Sequence, residues 1–558
     1  MNDITSDARF GGETHVVENQ PPALQDYNLF KADLALQEAV VREGASWALD
    51  SLTGYGELCG RPEMIELGHQ ANRCKPELFT HDRFGHRINE VRFHPAYHQL
   101  MSMAIEGGLH ASPWSHPGPG AHVARAARYL LHAQLEAGHG CPITMTFAAI
   151  PALRHQSELA VAWESQITTA HYDPRNIPPQ DKSGLTVGMA MTEKQGGSDV
   201  RANSTRAYAL GAGGPGQPYE LVGHKYFVSA PMCDLFLVLA QAPGGLSCFL
   251  LPRWHPDGHI NALHVIRLKD KMGNASNASS ETELRGALAW MVGEEGRGVA
   301  TILEMVAMTR FDCMIGSAAG MRQAAVQALH HCSHRSAFGK RLWDQPLMRN
   351  VLADLALESE AATALALRMA RAVDNSAQES EQLLVRLGTA FGKYWICKRT
   401  PGHAYEAMEC IGGSGVMEDT IMPRLYREAP VNAIWEGSGN IQALDMLRAA
   451  GREPRSVEAL MGEMALARGA DKTFDAWLDG LGDDLADPRE LEYRARDLAQ
   501  SMALGLQASL LIRAGCAAVS DAFIASRLSG NRGQLYGALP AGIDCQAILN
   551  RSWPVKLQ

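Results

Sequence analysis

The hydrophobic period changes twice along the chain, and this change limits the fold more than any other feature. From Leu185 to about Val292 the sequence breaks into short β-branched or aromatic runs, LTVGMAM, YELVGHKYFVSA, LFLVLAQA and LSCFLLPR, parted by turn residues about every ten positions. That spacing predicts a central antiparallel β-barrel or sandwich. On either side the period is 3.6. Amphipathic pieces such as Ala121 to Leu135 lead to a Pro-rich stop, HYDPRNIPPQDKSG. After Gly298, Met348, Val351, Leu352 and Leu355 share one helical face, and Leu384, Leu387 and Phe391 repeat the pattern in the next helix. The expected fold is α+β and multidomain: an N-terminal helical domain over 1–184, the β domain over 185–292, a four-helix bundle over 293–450 and an extra C-terminal helical domain over 451–558.

With 46% hydrophobic and 20% charged residues in 558, there is apolar material for several cores, which excludes global disorder. Lys and Arg number 51 against 61 Asp and Glu, so a net charge of -10 repels polyanions at long range, and any nucleic-acid contact has to be local. The 11 cysteines lie apart with no C-x-x-C pair, which speaks against a disulfide framework or thiolate zinc and fits a reducing compartment. The first twenty residues lack a basic start and an apolar run, so no export is expected and the predicted location is cytoplasmic. Leu498 to Ser520 carries only Arg513 as a formal charge, but Gln500, Ser501, Gln507 and Ser509 interrupt it. A buried helix is expected there rather than a membrane span.

Four loops offer chemistry. GMAMTEKQGGSDV at 188–200 leaves a strand through Gly196, Gly197 and Ser198, small residues that let backbone N–H groups approach an anionic cofactor; an ordinary Gly-rich connection is the competing reading. IWEGSGNIQALDMLR at 434–448 sets Glu436 between apolar Trp435 and a helix entrance that Ser438 can cap, so Glu436 is either a base or a solvated structural carboxylate. HRSAFGKRLWDQPLM at 334–348 and ECIGGSGVMED at 409–419 are turns between bundle helices, where glycines also serve as plain C-caps. GAGGPG at 211–216 has no helix after it and reads as a hairpin turn rather than a dinucleotide loop. His330 and His334 have i,i+4 spacing without matching ligands, and no metal is assigned.

In order, MTEKQGGSDV, GHKYFVSA, RSAFGK with QPLM, and ECIGGSGV with PRLYREAPVNAIWEGSGN resemble the acyl-CoA dehydrogenase flavoprotein family across about residues 60–450. RLKDK, MTRFDC and the extra C-terminal segment bring the resemblance to that family's adaptive-response branch. The resemblance implies FAD held by Met191, Thr192, Gly197 and Ser198, with Phe227 and Ser229 flanking its ring and Trp435, Gly437, Ser438 and Asn440 contributing from the 434–448 loop. It implies that Arg335, Phe338, Gln345 and the Gly412–Gly413 turn reach FAD from a neighbouring subunit of a homotetramer, a dimer of dimers. Glu436 falls at the position of the base that removes the α-proton of an acyl-CoA thioester, and Arg310 at that of an arginine which helps hold coenzyme A.

Three positions depart from the family pattern. Glu409 stands where many members have glutamine, Ala307 replaces an aspartate three residues before Arg310, and Thr309 occupies the alternative base position, where it cannot serve. The branch also implies double-stranded DNA as a partner, a role in the response to DNA alkylation, and at most weak dehydrogenase activity. Residues 451–558 hold 12 basic and 14 acidic residues, but from Leu498 onward 5 basic face 2 acidic. Arg448, Arg513 and Arg532 are the candidate phosphate contacts, with ion pairs to the acidic helices at 471–497 as the plain alternative. The rival function is a metabolic dehydrogenase of long or bulky acyl thioesters; a third reading keeps FAD only as support for a scaffold.

Overall fold

Asp33, whose side chain accepts from Leu36 N, and Pro62 and Pro95, each at a helix N-terminus, start helices Leu34–Arg42, Pro62–Arg73 and Pro95–Glu106. They open the N-terminal part of a computed structural model that describes residues 14–530 and 533–553. Between the second and third of these helices lies a hairpin that the sequence reading lacked: β1 (Glu77–His81) pairs antiparallel with β2 (Arg87–Arg92). Its strands are short and largely half-exposed, so they leave no alternation to read. Asn89 pins it to the β domain, donating to Leu263 O at 2.8 Å and accepting from Val265 N at 3.2 Å.

Seven strands form the β domain: β3 (Val187–Ala190), β4 (Arg206–Ala209), β5 (Pro218–Ser229), β6 (Leu235–Ala242), β7 (Gly245–Pro252), β8 (Leu263–Leu268) and β9 (Ser279–Val292). Following the hydrogen bonds, β6-β4-β5-β9-β7 returns to β6, so the sheet closes into a barrel, with β3 on β6 and β8 on β9. The expected all-antiparallel pairing needs one correction. β3 and β4 both run parallel to β6. A parallel pair needs a long crossover, and residues 191–234 supply it by carrying the chain through a loop and two strands before β6 begins. Leu235 to Ala240 on β6 are all buried, the continuous apolar run expected of a strand covered on both faces. GAGGPG joins β4 to antiparallel β5.

The bundle consists of helices Gly298–His334, Pro346–Asp374, Glu379–Ile411 and Gly439–Arg452. Beyond it, Arg455–Ala465, Lys472–Ala486, Leu491–Ala514 and Cys545–Ser552 extend the same apolar core. Leu491–Ala514 is buried along Leu498 to Leu511, and among the described residues no helix is long and apolar enough to cross a membrane. The N-terminal helices lock onto the bundle through Arg125, fully buried, which makes a two-pronged pair with Asp312 while Thr144 Oγ1 donates to the same carboxylate at 2.6 Å.

Candidate functional site

Where β3 ends, the loop after Met191 folds back on β5. Tyr226 N donates to Thr192 O at 2.8 Å, and Asn203 Nδ2 holds Met191 O at 2.9 Å. Gly197 packs so close that a Cβ would lie 2.5 Å from Thr192 Oγ1, so only glycine fits. Met191, Thr192, Gly197 and Phe227 thus meet on one side of the barrel, with Ser198 exposed beside them. Phe227 is 43% exposed, and the Lys269 ammonium sits 4.7 Å from its ring centroid and 3.0 Å from that of Tyr226.

Further along β5, Ser229 Oγ lies 3.1 Å from Ser279 Oγ, and Lys271 Nζ donates to Ser279 Oγ at 3.0 Å and to Asn277 O at 2.7 Å. Asn277 is buried, and its side-chain amide lies against the Cys141 thiol with no oxygen or nitrogen partner among the described residues; Ser276 Oγ is unpaired there too. Burial pushes the Cys141 thiol up to about 12, with Lys271 pulling it down, Glu436 raising it and Ser229 bonding to it. The barrel's Ser229 and the bundle's Glu436 therefore stand around one thiol on helix Gly140–Leu153.

Glu436 occupies a tight corner: its φ is +57° and that of Gly437 is +97°. The corner is braced by charge. Lys393, 1% exposed, donates to the carbonyls of Asn432, Trp435 and Gly437 at 2.9, 2.8 and 2.9 Å. Arg310 Nε donates to Glu436 O at 3.0 Å, and Gln442 Nε2 reaches the same oxygen at 3.0 Å. Held there, Glu436 Oε2 is buried without a hydrogen-bond partner. Burial raises the carboxyl above its usual range, partly offset by Arg310, Lys393 and the Thr309 hydroxyl. A buried carboxylate with an unpartnered oxygen, next to Trp435, can take a proton from carbon.

Lys393 was missed from sequence, although one charge amid the apolar TAFGKYWIC run on a bundle helix is a usable signal. Lys393→Met is expected to push the Glu436 carboxyl higher still. The acid limb of any reaction that uses this base then moves to higher pH, as a pH–rate profile of both proteins would record.

Other candidates lie elsewhere. Arg310 is committed to Asp445 at 2.9 Å as well as to Glu436 O; Asp445 also takes Arg386 at 2.9 Å and Arg448 at 3.4 Å. Phe338 is 100% exposed at the tip of the hairpin Ser336–Ala337/Lys340–Arg341, so within one chain it touches none of the barrel residues. Arg335 donates to Asn19 O at 2.6 Å, and Gln345 to Ala337 O at 3.1 Å, holding that hairpin. Gly412 and Gly413 face open space at the end of helix Glu379–Ile411, near exposed Glu409. Ser438 takes the N-cap place of Gly439–Arg452 without a side-chain capping bond, and Asn440 is exposed next to it.

Among the arginines, Arg513 pairs with Glu463 at 2.7 Å, Arg527 with Asp354 and Glu358, and Arg551 with Glu38 and Glu360, while Arg532 lies outside the described residues. Lys398 and Arg496, not singled out from sequence, converge on the start of helix Gly439–Arg452: a Cβ on Gly439 would lie 3.4 Å from both Lys398 Nζ and Arg496 Nη2. His255, Asp257 and His259, on the turn after β7, bring ligand atoms within 4.8 Å of one another, a metal-competent set the spacing argument passed over.

Comparison with known proteins gives a consistent picture. Three family descriptions match: Adaptive response protein AidB N-terminal domain over residues 19–174, Acyl-CoA dehydrogenase middle domain over 188–287, and Acyl-CoA dehydrogenase C-terminal domain over 296–451. AidB of Escherichia coli (strain K12) is 48% identical over 501 residues, covering 89% of this chain and 92% of its own length. Acyl-CoA dehydrogenase family member 11 of Caenorhabditis elegans is 31% identical over 72% of this chain and 67% of its own. The crystal structure of Caenorhabditis elegans ACDH-11 in complex with C11-CoA superposes with a TM-score of 0.82 at 26% identity, covering 99% of this chain and 96% of that one.

Proposed function

The chain belongs to the acyl-CoA dehydrogenase family, and from that premise we propose an FAD-bound homotetramer that binds double-stranded DNA and acts in the adaptive response to alkylation, with at most weak activity on ordinary acyl-CoA thioesters. Loop 191–198, Phe227 and Ser229 fit a flavin: they offer a glycine-lined backbone, a half-exposed aromatic ring and hydroxyls beside the buried Asn277 amide. FAD, when bound, supplies the acceptor for the hydride that leaves the β-carbon of a thioester. Glu436 would take the α-proton, and Lys393, Arg310 and Gln442 hold its backbone in place. Phe338, Gly412 and Gly413, bare in one chain, would be covered by the neighbouring subunit's cofactor.

The observation that carries the DNA reading is a group of exposed cations around helix Gly439–Arg452, on more than one of its faces. Arg386 and Arg448 share Asp445 at one end, Arg452 follows, and Lys398 and Arg496 meet at the other. At a rise of ~1.5 Å per residue, Gly439 to Arg448 spans roughly 14 Å, about the reach of several phosphates. Arg448 is thus retained from the sequence reading, and Arg496 and Lys398 take the place of the paired Arg513. Weak thioester turnover follows from Arg310 being spent on Asp445 and on the Glu436 carbonyl.

If four of these cations meet phosphates, affinity for a short duplex falls by about two orders of magnitude between 50 and 200 mM salt. Arg496→Glu flattens that slope by about one unit. Fluorescence anisotropy of a labelled duplex reads both; affinity indifferent to salt ends the phosphate reading.

A further inference from the structure

Behind Trp435, between helix Gly140–Leu153 and the bundle, runs a narrow cavity of about 70 Å³. Its lining includes Trp435, Cys141 and Cys313 and the charged Glu136, Arg424 and Glu428. Trp435 in this lining is the chain neighbour of Glu436. An acyl group whose α-carbon faces Glu436 therefore has this cavity for its tail. At ~15 Å³ for a water-sized group, the space holds about five such groups.

The three charged lining residues are, with one exception, satisfied. Glu136 accepts from His139 N at 3.1 Å, from His139 Nδ1 at 2.8 Å and from Asn72 Nδ2 at 3.2 Å; burial would raise its carboxyl, but His139 outweighs that and holds it near 2. Glu428 accepts from Asn274 N at 2.5 Å and from Asn274 Nδ2 at 3.3 Å. The exception is Arg424. It is 8% exposed and spends Nη2 on Leu135 O at 2.7 Å, while Nη1 has no acceptor. A buried guanidinium nitrogen wants an oxygen. A tail ending in carboxylate would supply one but would meet the ionised Glu136, and a cationic tail would meet Arg424 itself. A long alkyl tail has no room and leaves Nη1 unpaired.

Resting on the thioester reading of the Glu436 site, we propose that this cavity is the acyl subsite and that Arg424 selects a short acyl group ending in a neutral oxygen acceptor, a hydroxyl or carbonyl. Mismatch at the tail would then add to the engaged Arg310 as a source of weak activity on ordinary acyl-CoA. The relative crystallised with C11-CoA marks the contrast: a chain of that length overfills this space.

The test is a binding series on the FAD-loaded protein by calorimetry, using 4-hydroxybutyryl-CoA, pentanoyl-CoA, succinyl-CoA and dodecanoyl-CoA. The expected order puts 4-hydroxybutyryl-CoA at least tenfold tighter than each of the others. In Arg424→Lys the margin over pentanoyl-CoA shrinks to within about threefold. If that variant fails to fold, the wild-type series still decides. Equal affinity for the hydroxyl and alkyl esters means that a water satisfies Nη1, and overturns the proposal; so does preference for dodecanoyl-CoA. Binding of none of the esters, nor of CoA, would instead remove the thioester reading beneath it.

Discussion

Glu436→Gln is expected to lower the rate at which a thioester bleaches the bound flavin by roughly 10²–10⁴-fold, while the protein stays yellow and folded. Glutamine keeps the volume and the corner geometry but cannot accept a proton, and positioned general bases contribute about that range. The effect should be this large because the residues that brace the corner offer no substitute: Arg310 and Lys393 are cations engaged with carbonyls, and a threonine hydroxyl is no base. The pH dependence has a definite sign. The ionised carboxylate is the active form, and burial raises its pKa above the ordinary 4.5. Wild-type rate therefore falls as pH drops through that raised value, earlier than an exposed glutamate would allow, and the glutamine variant loses this limb. Stopped-flow flavin absorbance across pH checks both; an unchanged rate in Glu436→Gln would remove it as the base.

What could be read from the letters was local. The runs LFLVLAQA and LSCFLLPR become β6 and β7, and Trp435–Glu436 before a helical stripe became a braced carboxylate, because each pattern is complete within a dozen or so residues. The parallel partnership of β3 with β6 was hidden because it joins residues more than forty positions apart, and strand composition carries no record of which neighbour is parallel. Charges misled for a related reason. Arg513 looks free in sequence, yet its partner Glu463 lies fifty residues upstream, whereas Lys398 and Arg496, nearly a hundred apart, meet only when three helices pack around Gly439. Asn277 is an unremarkable loop residue until burial sets its amide against the Cys141 thiol.

The buried pair under loop 191–198 should give the largest stability effect. Glu193 and Lys225 are both 0% exposed with Nζ and Oε1 2.8 Å apart; Lys225 also donates to Leu239 O, and Glu193 accepts from Ser204 N and Thr205 N at 2.6 and 3.1 Å. Burial lowers Lys225 to about 8 against the pull of Glu193. For Glu193, burial works to raise the carboxyl, but Lys225 and the loop hydrogen bonds win and hold it below the ordinary 4.5. Its contribution to stability is then full above that value and lost as pH falls below it. Lys225→Met strands a buried carboxylate and is expected to cost about 3–5 kcal/mol in urea unfolding. Adding Glu193→Gln removes the stranded charge but keeps only one of the two acceptor oxygens, since Ser204 N bonds one and Thr205 N the other, so the double variant should recover part of that loss. Because Glu193 lies within loop 191–198, Lys225→Met should also release FAD more readily than the double variant does. A single variant within about 1 kcal/mol of wild type would show that the loop is held by its backbone bonds alone.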